Sequence, residues 1–217
     1  MKPDLPTDLT WPHTSINNNA HRVGFWILAH LTHDPAYMEK VREEIDAAYL
    51  TQGPSAEPDM GLLLCDCPQL DAIWHETMWL YNTASAIRKA TRACAVGGKR
   101  VSVGDQVMAT FRQFHLNREL FGGDAGAFRP ARFLDDKSLA RRKGYAPFGG
   151  GHTYCPGRLF AQREIYLFVA ETLRRFYLEL VGGAEGTMMP GVDRNTPSAA
   201  AMGPERDVEV VLSVQKL

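Results

Sequence analysis

The segment from Phe148 to Gly157 constrains the fold of this 217-residue chain more than any other. It consists of FGGGHTYCPG and leads directly into an amphipathic pattern. Glycines lack Cβ atoms, so their backbone can approach a planar ligand closely and can adopt positive φ. Pro156 suits the first position of a helix, which predicts that the Cys155 sulfur lies beside unpaired N–H groups that favour a thiolate. The segment therefore indicates a binding surface for a flat cofactor that is held through sulfur. The alternative is a glycine-rich turn with an inert, buried cysteine.

This segment resembles the cysteine-ligand loop of the cytochrome P450 family, the haem-thiolate enzymes, whose pattern is Phe-x-x-Gly-x-(basic)-x-Cys-x-Gly. The resemblance implies that Cys155 is the axial ligand of a haem iron, and that its thiolate pushes electron density onto the iron and favours O–O cleavage. The family's basic residue is replaced by Thr153, one place after a titratable histidine. The residues that the resemblance places against the haem are Phe148, Gly149, Gly151, His152, Cys155 and Gly157.

A second landmark is the run LDAIWHETMWL at residues 70–80, which resembles the family helix that carries a Glu-x-x-Arg pair. In that fold the pair joins a downstream arginine and locks the core behind the haem. The resemblance implies that Glu76 and Arg132 are the structural pair, whereas Trp79 occupies the place of the first arginine. A buried network reduced to two members loses hydrogen bonds, and breaking buried pairs costs roughly 3–5 kcal/mol. For Glu76 considered alone, a solvated helix glutamate is the alternative.

Residues 85–90 and 97–108 predict short strands joined by glycine turns. In the family, an arginine at the place of Arg88 contacts a haem propionate. A guanidinium suits that role because its planar fork binds carboxylates with two hydrogen bonds. The alternative for Arg88 is a surface arginine on a strand edge. His152 is a second candidate for a propionate contact.

Residues 15–28 resemble the long family helix that crosses the oxygen-binding face of the haem. Many monooxygenases of the family place an acid and an alcohol there, which deliver protons to dioxygen. Here these positions fall on Asn19, a candidate catalytic residue, and on Ala20. Asparagine at this place is similar to the sterol 7α-hydroxylase and prostacyclin synthase branch and its fungal relatives. The alternative is a helix N-terminus that is capped by the run Asn17–Asn19.

The patterns predict one partial domain over residues 1–217, mainly α with small β-sheets, which the resemblance equates with the C-terminal half of the cytochrome P450 fold. A hydrophobic content of 45% permits one compact core. A helix is expected to begin at Pro35. Residues 182–204 are expected to form a long loop, and residues 208–214 a closing strand. After the cysteine, helical spacing predicts a core-facing stripe formed by Ile165, Phe168, Val169, Leu173 and Phe176.

Composition and charge limit which binding partners and which cellular compartment are expected. The chain has 24 basic and 25 acidic residues, so no footprint for nucleic acid is expected. Four cysteines are too few for a disulfide scaffold in a chain of this length, which favours an intracellular, reducing compartment. Neither the N-terminus nor the longest apolar run, residues 23–31, suits a signal sequence or a membrane span. Family members typically lie in the endoplasmic reticulum membrane; without an anchor, this chain is expected to be soluble or peripheral.

Two classes of function follow. The first is a haem-thiolate oxidoreductase of the monooxygenase type that acts on an apolar small molecule such as a sterol, fatty-acid or secondary-metabolite intermediate. Its electrons are expected from a separate reductase, because Gly149–Gly151 lacks the spacing of a dinucleotide site. A haem-thiolate isomerase, which does not activate dioxygen, tolerates the missing alcohol at Ala20. The second class is a truncated, non-catalytic remnant in which Trp79, Ala20 and the missing half of the fold abolish haem binding or turnover.

Overall fold

Helices form about half of the computed structural model, which describes residues 10–50, 56–151, 154–195 and 200–215, with residues 10–18 as backbone alone. The four long helices are α1 (Thr10–His33), α2 (Pro35–Ala47), α4 (Pro68–Tyr81) and α8 (Arg158–Arg175). The short ones are α3 (Met60–Cys65), α5 (Phe111–His115), α6 (Arg118–Phe121), α7 (Ala131–Asp135) and α9 (Gly183–Gly186), with a 3₁₀ turn at Lys137–Arg141.

Six short strands pair into three antiparallel two-stranded sheets. The strands are β1 (Ser85–Lys89), β2 (Cys94–Val96), β3 (Lys99–Val101), β4 (Gln106–Thr110), β5 (Phe176–Leu180) and β6 (Val210–Val214). β1 pairs with β4, β2 with β3, and β5 with β6. The expected fold class, mainly α with small β-sheets, is therefore confirmed, and so are the short strands between residues 85 and 110.

Local sequence signals explain where α2 begins. The Asp34 side chain accepts a hydrogen bond from the Tyr37 N–H at 2.9 Å, and Pro35 occupies the first helical position. A carboxylate cap satisfies a backbone donor that has no partner within the helix, and proline has no N–H to satisfy there. The predicted helix from Pro35 is confirmed for these reasons.

Packing of α1, α2, α4 and α8 forms the larger part of the core. Gly24 marks the crossing of α1 and α8, since a Cβ atom there would lie 3.0 Å from the Phe168 ring. A second cluster surrounds Trp79 at the other end of α4. The fully buried aliphatic side chains of the larger cluster are Ile27, Leu31, Val41, Ile45, Leu63, Leu70, Ile73, Val169 and Leu173.

Two parts of the expected organisation after the cysteine need correction. Ile165, Val169 and Leu173 are buried as predicted, but Phe168 is 48% exposed because it lies at the flank of that stripe, over Gly24. Phe176 is the first residue of β5 and not part of the helix. The segment 182–204 contains α9 as well as isolated bridges to the rest of the chain, and the closing strand begins at Val210.

Within the described residues, no helix is long and apolar enough to cross a membrane.

The buried stripe of α8 generates a stability prediction. Leu173→Ala removes a fully buried side chain and is expected to lower the free energy of unfolding by about 2–5 kcal/mol. Leu167→Ala, on the same helix but 38% exposed, is the matched control and is expected to cost less than about 1 kcal/mol. Urea denaturation followed by circular dichroism measures both values. Equal losses would contradict the assigned orientation of α8.

Candidate cofactor site

A cavity of about 950 Å³ opens between α1, α4, the start of α8 and the loop that precedes α8. Its volume lies at the upper end of the range for cofactor and small-molecule sites, roughly 300–1,000 Å³. Its wall is mostly apolar, with contributions from Val23, Met78 and Phe160. The predicted site residues on this wall are Asn19, Arg88, Phe148, Gly149, Cys155 and Gly157.

The loop from Phe148 to Cys155 holds the thiol on the cavity wall. The Cys155 N–H donates to the Phe148 carbonyl at 3.0 Å and closes the loop. Gly149 and Gly151 have φ values of 81° and 67°, in the left-handed region that favours glycine. A Cβ atom at Gly157 would lie 3.9 Å from the Cys155 sulfur, an ordinary van der Waals distance, so Gly157 lies directly beside the thiol. His152 and Thr153 lie outside the described residues.

The expectation that the helix starts directly after Cys155 is wrong. Helix α8 begins at Arg158, and its first backbone hydrogen bond runs from the Ala161 N–H to the Gly157 carbonyl at 2.8 Å. A helix that started at Pro156 would instead use the Cys155 carbonyl. The Cys155 carbonyl accepts from the Arg158 side chain at 3.1 Å. The thiol therefore lies two residues before the N-cap residue of α8.

Glu76 and Arg132 form a buried ion pair behind the cavity wall. The Glu76 carboxylate accepts from the Arg132 Nε at 2.9 Å and from the Arg129 N–H at 2.8 Å. Arg132 Nη2 donates to the carbonyls of Asp124 and Ala127 at 3.0 and 2.8 Å. Glu76 is 0% and Arg132 is 3% exposed. The alternative of a solvated glutamate is therefore wrong.

Trp79 fills the place of the first arginine with an aromatic ring that is also fully buried. Its indole N–H donates to the Ala125 carbonyl at 2.9 Å, and the Arg132 guanidinium carbon lies 5.3 Å from its ring centroid. That distance is in the range of a cation–π interaction. The ring stacks on Tyr145 and His115. Backbone carbonyls and an aromatic face thus replace the contacts that a third charged residue would supply.

Asn19 and Arg88 lie on the cavity wall, but the contacts of these two side chains do not assign either of them a functional role. Helix α1 begins at Thr10, so the run Asn17–Asn19 is internal and the capping alternative is wrong. The Asn19 Oδ1 accepts from the Ala201 N–H at 3.3 Å. Arg88 is exposed on β1, and its Nη1 donates to the Ile87 carbonyl at 2.8 Å. The oxygen-side role of Asn19 and the propionate role of Arg88 stay predictions.

His115 is a buried residue beside the site that carries no motif or periodic signal in the sequence. Its Nδ1 donates to the Trp79 carbonyl at 3.1 Å, and its Nε2 accepts from the Ala146 N–H at 3.0 Å. Burial lowers the pKa of His115 to about 4, against the opposing effect of the bond to Trp79. The imidazole is therefore neutral at neutral pH, with its proton on Nδ1.

A single thiol on the wall of an apolar cavity, inside a mainly helical fold, is the arrangement of a haem-thiolate protein. The cytochrome P450 family model matches residues 23–199. The chain belongs to this family, whose members bind haem and include many monooxygenases. Family recognition and cofactor class are thereby confirmed.

Three relatives illustrate the match. The chain is 32% identical to the cytochrome P450 monooxygenase poxD of Penicillium oxalicum over 75% of this chain and 35% of that protein. It is 29% identical to cytochrome P450 7A1 of Rattus norvegicus, over 85% of this chain and 40% of the relative. It is 30% identical to a self-sufficient cytochrome P450 monooxygenase of Oidiodendron maius, over 71% of this chain and 14% of that protein. The chain thus spans two fifths or less of the length of these relatives.

The surroundings of Trp79 generate a second prediction. Trp79→Arg brings a second cation beside Arg132, while Glu76 already accepts two hydrogen bonds. We expect it to lower the free energy of unfolding by about 3 kcal/mol or more. Trp79→Phe keeps an aromatic ring, loses the bond to Ala125 and is expected to cost about 1–2 kcal/mol. Urea denaturation measures both variants, and a Trp79→Arg protein as stable as wild type would contradict the stabilising role of the indole.

Proposed function

We propose that this chain acts as a haem-thiolate oxidoreductase of the monooxygenase type on an apolar small molecule. The observation that carries the proposal is the position of the Cys155 thiol on the wall of a cavity of about 950 Å³. Glycine backbone on the same wall supports a flat ligand, because a Cβ atom at Gly150 would meet no atom within 4 Å. The loop therefore leaves open space where a planar ring would lie.

The residues present fit haem. Cys155 would hold the iron, Phe148 and the glycine backbone would support the ring, and Arg88 would bind a propionate. When bound, haem supplies activation of dioxygen, assisted by the thiolate ligand. The Glu76–Arg132 pair would act indirectly, by fixing α4 behind the wall.

The same wall supports an apolar substrate. Val23, Met78 and Phe111 contribute side chains from three different elements. Burial of apolar surface favours binding by roughly 25 cal/mol per Å². A sterol, fatty-acid or secondary-metabolite intermediate fits this chemistry. A separate reductase is the proposed electron donor, although one relative is named as self-sufficient.

The oxygen-side wall favours a second candidate, a haem-thiolate isomerase that rearranges an oxygenated substrate. Asn19 cannot act as an acid at neutral pH, and Ala20 has no hydroxyl group to relay a proton. The Asn19 amide would orient a water molecule or a polar group of the substrate. A turnover assay distinguishes the two activities, because a monooxygenase consumes dioxygen and reductant and an isomerase consumes neither.

Substitution of the thiol tests the proposal. Purified protein supplied with haem, reduced and exposed to carbon monoxide is expected to show a red-shifted, thiolate-type Soret band. Cys155→Ser is expected to abolish that band, since serine does not supply a thiolate. Cys94→Ser, at an exposed cysteine on β2, is the matched control and should retain it. Absence of haem retention by the wild-type chain would favour the non-catalytic remnant.

The propionate role of Arg88 has a separate test. Arg88→Gln is expected to weaken haem binding about 3- to 10-fold, a modest effect because the guanidinium is exposed to water. Lys89→Gln, at the next residue of the same strand, is the control and should leave the affinity unchanged. Iron octaethylporphyrin has no carboxylate groups, so it should bind equally to wild type and both variants. An Arg88→Gln effect of the same size with this porphyrin would contradict the propionate contact.

A further inference from the structure

The stretch of chain that enters the cysteine loop is held by two buried side chains from distant parts of the sequence. His115 Nε2 accepts from the Ala146 N–H at 3.0 Å. The Asn82 amide donates to the carbonyl of the next residue, Pro147, and its Oδ1 accepts from the Ala84 N–H at 2.7 Å. Both side chains are at most 2% exposed. The two contacts end one residue before Phe148, whose carbonyl closes the loop onto Cys155.

The imidazole joins this stretch to α4. A carbonyl only accepts and an N–H only donates, so the contacts with Trp79 and Ala146 fix one neutral tautomer. Trp79 lies one helical turn after Glu76, whose ion pair with Arg132 fixes α4. Helix α4 therefore relates the ion pair to the Trp79 carbonyl, and His115 connects that carbonyl to the stretch that enters the thiol loop.

We infer that His115 is a positioning residue for the thiol: it fixes the entrance of the Phe148–Cys155 loop so that the sulfur is presented to the cavity. The spectroscopic effect that we expect rests on the proposed haem-thiolate function. The structural effect on the loop rests only on the contacts of the protein without haem. Loss of the imidazole leaves the partly buried Ala146 N–H without its acceptor, and donors without partners are costly where water does not reach them. The loop would relieve this cost by shifting, and the sulfur would shift with it.

Three substitutions separate positioning from packing. His115→Ala removes the ring and both hydrogen bonds, whereas His115→Phe keeps an aromatic ring among Trp79 and Tyr145 but forms neither bond. His115→Gln retains one donor and one acceptor. Leu173→Ala, in the core at the far end of α8, controls for general loss of stability.

The first readout needs no haem. Amide hydrogen exchange of the peptide covering residues 146–157 is expected to be about tenfold faster in His115→Ala and His115→Phe than in wild type, and close to wild type in His115→Gln. Leu173→Ala should leave this peptide unchanged relative to the rest of the protein. A His115→Phe protein with wild-type exchange, or an equal effect of Leu173→Ala, would overturn the inference.

The second readout is the Soret spectrum of the reduced, carbon monoxide-bound protein, which gives the ratio of haem that keeps the thiolate ligand to haem that has lost it. This ratio should fall about tenfold in His115→Ala and His115→Phe, with recovery in His115→Gln. If wild type forms no thiolate complex, the proposed function fails while the exchange experiment still decides the positioning role. If wild type forms it and the His115 variants match it, the positioning role fails alone.

The pH profile adds a third readout. The stabilisation that comes from neutral His115 is fully present above pH 6.5 and is lost as the pH falls towards about 4, because the unfolded state binds the proton more tightly. Arg112, on α5, also disfavours the charged imidazole, and the Tyr145 ring packs against it. After correction for the intrinsic pH dependence of amide exchange, the protection of the 146–157 peptide should therefore fall over this window in wild type and less so in His115→Gln. Identical profiles would overturn the role of the neutral imidazole.

Discussion

The Glu76–Arg132 ion pair is the interaction on which the rest of this structure depends. Both side chains are buried, and two hydrogen bonds join the Glu76 carboxylate on α4 to the Arg129 N–H and the Arg132 side chain. Arg132 also donates to the carbonyls of Asp124 and Ala127 and so orders its own segment. A buried charge that loses its partner costs several kcal/mol, so neither residue can be removed independently. Because α4 supplies part of the cavity wall, the ion pair supports that wall from behind without lying on it.

Trp79 shows how a buried ionic network tolerates the loss of a member. What matters energetically is that each buried donor and acceptor has a partner, and not which residue supplies it. The carbonyls of Asp124 and Ala127 satisfy Arg132, while the indole fills the volume and satisfies its own N–H. The backbone carbonyl of Trp79 also accepts from His115, a contact that does not depend on which side chain is present. The departure from the family pattern is thus compatible with an intact wall.

Sequence was a good guide where the determinant is local. Helix α2 follows from its cap and proline, and the cysteine loop follows from its glycines, two of which have positive φ. Sequence missed the start of α8 at Arg158 and the 48% exposure of Phe168. Phe168 lies against Gly24 of α1, a contact between distant helices that the local spacing of α8 does not show. His115 gave no signal because its partners lie 36 and 31 residues away in the chain. The single-domain assignment and the roles of the cavity residues stay predictions.

Comparison of two cysteines shows why position, and not residue type, supports the sulfur-ligand role. Cys67 is 3% exposed, and its thiol donates to the carbonyls of Glu44 and Leu62. Burial raises the pKa of Cys67 to about 12, which keeps it protonated and unreactive. This is the inert cysteine that the sequence offered as the alternative for Cys155. Cys155 instead borders the cavity, on a loop held by glycine geometry at one end and by Asn82 and His115 at its entrance. A metal bond needs a thiolate that the metal can reach. This difference in surroundings therefore separates a candidate metal ligand, Cys155, from a core residue, Cys67.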